Sequence, residues 1–298
     1  MKATISRRTL LGLGSTLGLS VMHAGVAFGT TSGASRRTMG QQTTTGSVDS
    51  YGGLFYRDDW LGEPWRTPEV ALLIHGVYES GIAWFGWMPR LAQEFRVLRP
   101  DLPGFGSSTI PAGFEWSLSN LTSLLARVLD RAGVESVHVI GAKLGGSIAM
   151  QFAADFPQRT RTLVVVSSPV SRPTISAASN VPQRDRLGSD ASPEQVQYWN
   201  AMMAAANRDA VQGTARILST LNLDPVLPRI TAPALVITSD RSPLQSVDTV
   251  MQYQRRIPNS RLLVLSSDAY HVAVAKADEC VTNVLAFVRE ARALPPRT

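Results

Sequence analysis

The sequence predicts an α/β protein in which a mostly parallel, twisted sheet has helices on both faces. Short apolar runs rich in β-branched residues recur along the chain, separated by longer segments with helical apolar spacing. Continuous apolar runs are typical of parallel strands, because crossover helices bury both faces of such a sheet. The predicted strands are residues 70–74, 95–98, 136–140, 162–166, 234–237 and 262–265.

The segments between these runs carry apolar residues on one helical face, as core-facing helices do. Two such faces are Leu121, Leu124, Leu125, Val128 and Leu129, and Trp84, Met88, Leu91 and Phe95. Residues 169–229 break the alternation with a polar loop followed by helical segments. This interruption indicates a small helical cap inserted over the sheet.

Composition describes one globular domain and argues against a nucleic-acid partner. The 298 residues are 44% hydrophobic and 17% charged, which suffices for a substantial core. The formal charge is +6, but three of the basic residues, Lys2, Arg7 and Arg8, lie in an N-terminal segment. Without them 26 basic residues face 23 acidic ones, so no strongly basic surface is expected.

The N-terminus resembles a twin-arginine export signal. Arg7 and Arg8 precede a mildly apolar, glycine-containing run that lacks acidic residues, and small residues near Ala27 or Ala34 suit cleavage. Glycine and serine interrupt the run too often for a stable membrane span of about 20 apolar residues. We therefore expect a signal over residues 1–34, a flexible linker over 35–50, a domain over 51–298, and a periplasmic or secreted protein.

Four motifs follow in order along the predicted domain, and together they resemble the α/β-hydrolase superfamily. They are His75-Gly76 after a buried strand, RPDLPGFGSS at 99–108, VIGAKLGG at 139–146, and His271 near the end. The resemblance covers roughly residues 51–288. Small lactonases, esterases and carbon–carbon bond hydrolases are the similar members, and the resemblance implies their fold with its cap.

The pattern departs from the family at the catalytic turn. Lys143 stands where the motif Gly-x-Ser-x-Gly places a nucleophilic serine, while Gly141, Gly145 and Gly146 are kept. The resemblance puts this side chain in a strained, pocket-facing position. Lys143 is one of only three lysines against 26 arginines, which favours a selected, titratable amine over chance substitution.

The resemblance also assigns the remaining catalytic positions. The backbone N–H groups of Val77 and Leu144 correspond to the oxyanion hole, and His271 to the catalytic base. The position of the family's acid falls on Ser242, with Asp240 two residues earlier. A serine there weakens the general base unless Asp240 reaches His271.

Tyr78, Trp84 and Trp199 are candidate pocket residues, and the same large side chains also suit ordinary core packing.

The three histidines outside the predicted signal lack ligand-like spacing with Cys, Asp or Glu. No glycine-rich dinucleotide motif opens a helix. We expect neither metal nor cofactor, and a small-molecule carbonyl substrate as the partner.

The sequence leaves several roles for Lys143 open. Burial and the following helix dipole disfavour the ammonium form, and a neutral amine attacks ketones and aldehydes. The leading hypothesis is imine-forming carbon–carbon cleavage or decarboxylation of a small, mainly apolar carbonyl compound, with His271 as acid or base. The alternatives are a water-based ester or lactone hydrolase, and a catalytically inactive ligand-binding protein.

Overall fold

An eight-stranded sheet forms the centre of the protein. The computed structural model describes residues 54–172 and 181–293, together with the backbone of 45–47. The strand order is β1-β2-β4-β3-β5-β6-β7-β8. All pairs from β4 to β8 are parallel, and β1 and β2 pair antiparallel at one edge. The predicted mostly parallel sheet is confirmed.

All six predicted strands are present, within two residues of their expected ends. The strands are β1 Thr45–Ser47, β2 Tyr56–Asp59, β3 Val70–Ile74, β4 Arg96–Pro100, β5 Val137–Ala142, β6 Thr160–Val166, β7 Ala234–Ser239 and β8 Ser260–Leu265. The central strands β3, β5 and β7 are buried along their whole length. Their continuous apolar sequence follows from this burial on both faces.

Helices cover both faces of the sheet, as predicted. They are α1 Met88–Glu94, α2 Leu118–Arg131, α3 Leu144–Asp155, α4 Gln183–Leu187, α5 Pro193–Ala204, α6 Arg208–Ser219, α7 Val247–Gln254, α8 Val272–Ala275 and α9 Ala277–Ala293. One core contains the apolar faces of α2, α3 and α7, and a second contains those of α1 and α9. The five apolar residues predicted to form a buried face on α2 are all buried.

The segment between β6 and β7, where the sequence predicts a cap, forms α4, α5, α6 and a 3-10 turn at Leu227–Arg229. Within the predicted linker, Thr45–Ser47 forms β1 and pairs with β2. The predicted signal, residues 1–34, lies outside the described residues. Among the helices that the structure describes, none is both long and apolar enough to cross a bilayer.

The topology gathers the predicted site residues at one edge of the sheet. His75 comes directly after β3, Lys143 directly after β5, and His271 shortly after β8. Because these strands are parallel, their carboxyl ends lie at the same edge. The cap is inserted after β6, whose carboxyl end reaches this edge as well.

Candidate active site

Lys143 occupies a sharp turn between β5 and α3. Its backbone has φ 54° and ψ −126°, in the positive-φ region that an L-residue adopts only at a cost of about 1–3 kcal/mol. The neighbouring glycines make the turn possible. A Cβ on Gly145 would lie 2.1 Å from the carbonyl oxygen of Ile74, and one on Gly141 would lie 2.2 Å from the carbonyl oxygen of Gly145.

The Lys143 amine lies between a carboxylate and an imidazole. Its Nζ forms an ion pair with Oε1 of Glu79, and lies 2.9 Å from Nε2 of His271. The lysine side chain is only 14% exposed. Burial lowers the pKa of Lys143 below its ordinary value, although the charge of Glu79 acts in the opposite direction, and the Arg186 charge lowers the pKa further. The site therefore favours the neutral amine more than water does.

Glu79 is the functional candidate that sequence reasoning missed. It lies on the loop after β3 and is 5% exposed. While Oε1 contacts Lys143, Oε2 accepts a hydrogen bond from the backbone N–H of Gly76 at 2.9 Å. The available signal was an acidic residue four positions after His75, in the loop where the family resemblance places half of the oxyanion hole.

His75 joins Leu102 to the loop of residues 75–79, which we call the oxyanion loop because it carries the Val77 N–H. Its Nε2 accepts a hydrogen bond from the Leu102 N–H at 2.9 Å, so its Nδ1 carries the proton and donates to the Gly76 carbonyl at 2.7 Å. Both ring nitrogens are thus engaged, and burial lowers the pKa of this imidazole. His75 fixes the backbone of the loop as a neutral side chain.

His271 directs Nε2 toward the lysine. Its backbone N–H donates to the Arg186 carbonyl in α4 at 2.7 Å, and the side chain is buried. Burial, followed by the charges of Lys143 and Arg186, lowers the pKa of His271 well below its ordinary value. Among the described residues, its Nδ1 has no hydrogen-bond partner. His271 is therefore neutral at physiological pH and lacks the carboxylate that usually orients a catalytic histidine.

The structure does not bring Asp240 or Ser242 into contact with His271. The Asp240 carboxylate accepts a hydrogen bond from the Ser267 N–H at 2.8 Å and pairs with Arg241 at 2.8 Å on the surface. The Ser242 hydroxyl accepts a hydrogen bond from the Leu244 N–H at 3.3 Å. Asp240 therefore does not orient His271, the role that the sequence left open to it, because these surface contacts hold its carboxylate elsewhere.

The backbone N–H groups of Val77 and Leu144 are available as donors. Neither has a hydrogen-bond acceptor within the part of the chain that the structure describes. The loop carrying Val77 passes close to the lysine, since a Cβ on Gly76 would lie 2.5 Å from Cε of Lys143. Tyr78, next in the loop, also has a positive φ of 67°. Strained backbone thus occurs on both sides of the amine.

Glu79 lines both a small cavity and a larger cleft. A cavity of about 20 Å³, room for about one water molecule, is bordered by Glu79, Lys143 and His271. The rest of its wall is mainly apolar and includes Trp84, Ala142, Val166, Tyr270 and Val274. A cleft of about 610 Å³ lies between the 104–110 loop and the start of α6, and Tyr78 and Glu79 line it.

The three predicted pocket residues lie at different parts of this site. Trp84 lines the small cavity, and Tyr78 lines the cleft. Trp199 is buried in the cap, with its ring centre 5.6 Å from that of His271 and 5.9 Å from Nζ of Lys143. No three His, Cys, Asp or Glu side chains are grouped to hold a metal ion in the described ranges.

Comparisons with known proteins point to one fold family. Residues 70–187 match the family model described as the alpha/beta hydrolase fold. A pimeloyl-[acyl-carrier protein] methyl ester esterase of Aeromonas hydrophila is 26% identical over 249 residues, covering 75% of this chain and 96% of the esterase. A 2-hydroxy-6-oxo-2,4-heptadienoate hydrolase of Pseudomonas putida is 34% identical over 100 residues, covering 33% of this chain and 36% of the hydrolase.

Solved structures give the same result. The crystal structure of a hydrolase from Pseudomonas aeruginosa is similar with a TM-score of 0.69 and 25% sequence identity. The alignment covers 82% of this chain and 97% of that hydrolase.

Proposed function

We propose that this chain, whose residues 70–187 match the alpha/beta hydrolase fold, is an enzyme that converts a small carbonyl compound through an imine formed by Lys143. One observation carries the proposal. The family's nucleophile position holds a largely buried amine whose pKa is lowered by burial and whose Nζ lies 2.9 Å from Nε2 of His271. A lysine activated by desolvation is the usual nucleophile toward ketones and aldehydes.

The reaction begins when the Nζ lone pair of Lys143 forms a bond to the carbonyl carbon. The carbonyl π electrons move to oxygen, and the N–H groups of Val77 and Leu144 stabilise the negative charge that develops there. Proton transfer from nitrogen to oxygen gives a neutral carbinolamine. A further proton, delivered to its hydroxyl by an acid in the site, lets water leave and gives an iminium ion. The iminium draws electrons from a neighbouring carbon–carbon bond, so that bond breaks and an enamine remains.

Water completes the turnover. Protonation of the enamine carbon restores the iminium ion, and water adds to it to release the carbonyl product and free Lys143. Cleavage of a β-hydroxy ketone releases an aldehyde as its hydroxyl proton passes to a base in the site, and cleavage of a β-keto carboxylate releases carbon dioxide. Ester hydrolysis through Lys143 fits less well, because acyl transfer to the amine yields an amide, which hydrolyses slowly.

The shapes of the two spaces fit a small substrate whose remainder lies under the cap. The cavity at Lys143 has room for about one water molecule and mainly apolar walls, so it suits a compact carbonyl group after limited opening. The 610 Å³ cleft, which Glu79 also lines, has room for the rest of the molecule. The residues described as lining this cleft include Glu79 and Asp209 but no Lys or Arg, which favours an uncharged distal part.

Reductive trapping tests the proposal. The full chain is incubated with small aldehydes and ketones and cyanoborohydride, and the modified lysines are mapped by mass spectrometry. We expect adducts at Lys143 to form much faster than at Lys276, and Lys143→Arg to lose the adduct at position 143 while Lys276 reacts as before. If Lys143 is modified no faster than Lys276 with every carbonyl compound, the imine proposal is wrong. The remaining functions are then a water-based hydrolase or a ligand-binding protein.

A further inference from the structure

We propose that Glu79 is the proton carrier of this site and does the work that the family assigns to a carboxylate after β7. The inference rests on the proposed function of Lys143 and adds a catalytic residue to it. Among the carboxylates that the structure describes, Glu79 is the one in contact with the Lys143 amine. Asp240, near the family's acid position, is held at the surface by Ser267 and Arg241.

The two oxygens of Glu79 have separate contacts. Oε2 accepts the Gly76 N–H at 2.9 Å, which ties the carboxylate to the oxyanion loop. Oε1 contacts Nζ of Lys143, the atom that forms the new bond. A proton can therefore move between Nζ and Oε1 while the backbone hydrogen bond to Oε2 keeps the carboxylate in place.

His271 is less suited to carry the proton. Burial and two neighbouring positive charges lower its pKa well below the ordinary value, so its protonated form is strongly disfavoured. Its Nδ1 also has no hydrogen-bond partner in the described residues that would stabilise an imidazolium. Its Nε2 lies 2.9 Å from Nζ and instead fixes the direction of the amine as a hydrogen-bond partner.

The proton carrier and one proposed oxyanion donor lie on the same loop. Glu79 lies two residues after Val77, whose N–H is a proposed donor to that oxygen. Imine formation must remove protons from nitrogen and deliver them to the departing oxygen. A carboxylate on the same loop as the oxyanion donor serves both atoms.

During imine formation, every proton that leaves the Lys143 nitrogen is transferred by Glu79 to the departing oxygen. The ammonium of Lys143 first gives a proton to Glu79, and the neutral amine attacks the carbonyl carbon as protonated Glu79 returns that proton to the oxygen. Glu79 then takes a second proton from nitrogen and gives it to the hydroxyl. The carbon–oxygen bond breaks, water leaves, and the positive iminium ion remains beside the negative carboxylate.

The pH dependence of trapping separates this role from simple charge pairing. The rate of Lys143 modification by propanal is measured from pH 6 to 10 with cyanoborohydride in excess, for wild type, Glu79→Gln and Glu79→Asp. The Glu79 charge favours the ammonium form of Lys143. Glu79→Gln should therefore shift the midpoint of the rate-against-pH curve to lower pH. Loss of the proton carrier should also lower the high-pH plateau by about 10²–10⁴-fold, the usual contribution of general acid–base catalysis.

Glu79→Asp keeps the charge but shortens the side chain, so we expect a plateau between those of wild type and Glu79→Gln. If Glu79→Gln does not fold, a reduced plateau in Glu79→Asp with little change in midpoint supports the role. A variant plateau within a few-fold of wild type, with only the midpoint shifted, would show that Glu79 is a charge partner and overturn the inference. Absence of any wild-type adduct would instead overturn the proposed function, and this role with it.

Discussion

Lys143→Met is expected to lower the free energy of unfolding by about 3–5 kcal/mol at neutral pH. Removing one partner of a buried ion pair leaves the other charge buried without compensation, and that cost has this magnitude. Glu79 is only 5% exposed, and its remaining hydrogen bond comes from the Gly76 N–H. Chemical denaturation of wild type and variant measures the difference.

A double-mutant cycle supplies the control for this prediction. Adding Glu79→Gln to Lys143→Met removes the unpaired charge, so the double variant should recover much of the lost stability. The coupling between the two positions should exceed that of distant sites, whose effects add within about 0.5 kcal/mol. Additive losses would mean that the Lys143–Glu79 pair does not hold the site together in solution.

Gly145→Ala should lower the free energy of unfolding by about 3 kcal/mol, at the upper end of the cost of overpacking. Its Cβ would lie 2.1 Å from the carbonyl oxygen of Ile74 and 2.5 Å from that of His75. Both obstacles are backbone, so no side-chain rotation relieves them. The end of β3 and the oxyanion loop must shift, and trapping at Lys143 should be lost together with stability.

Gly133→Ala is the matched control for this substitution. Gly133 has φ 66°, and a Cβ there meets no atom within 4 Å. Alanine at that position should therefore lower the free energy of unfolding only by the cost of its positive φ, about 1–2 kcal/mol. Trapping at Lys143 should be unchanged. Equal stability losses for the two variants, or normal trapping by Gly145→Ala, would contradict the close packing of β3 against α3.

The sheet was predictable because central parallel strands require continuous apolar sequence. The predicted run at 70–74 coincides with β3 Val70–Ile74, which is buried throughout. The strand β2, between β1 and β4, escaped prediction because its sequence, YRDD, has no apolar run. Its aspartates pair with arginines of the neighbouring strand, Asp58 with Arg96 and Asp59 with Arg99. Only the assembled sheet shows these pairs.

The meeting of Lys143 with His271 could be predicted from strand order, but the pairing with Glu79 could not. Lys143 and His271 follow strands whose carboxyl ends share one edge, so motif order predicts their proximity. Whether Glu79 points inward depends on the path of a loop whose Tyr78 has a φ of 67°. Sequence spacing likewise could not show that Asp240 is bound to Ser267 at the surface.

The pKa of Lys143 is the measurement that tests its role as nucleophile most directly. The wild-type chain is labelled at a series of pH values with a small amount of an amine-reactive reagent, and the labelled lysines are quantified by mass spectrometry. The extent of labelling follows the fraction of neutral amine at Lys143, and Lys276 in the same sample is the reference. We expect half-modification below the ordinary lysine value of about 10.4, because burial disfavours the ammonium form. A pKa at or above the ordinary value would mean that Glu79 keeps Lys143 protonated, and Lys143 would then not be a nucleophile.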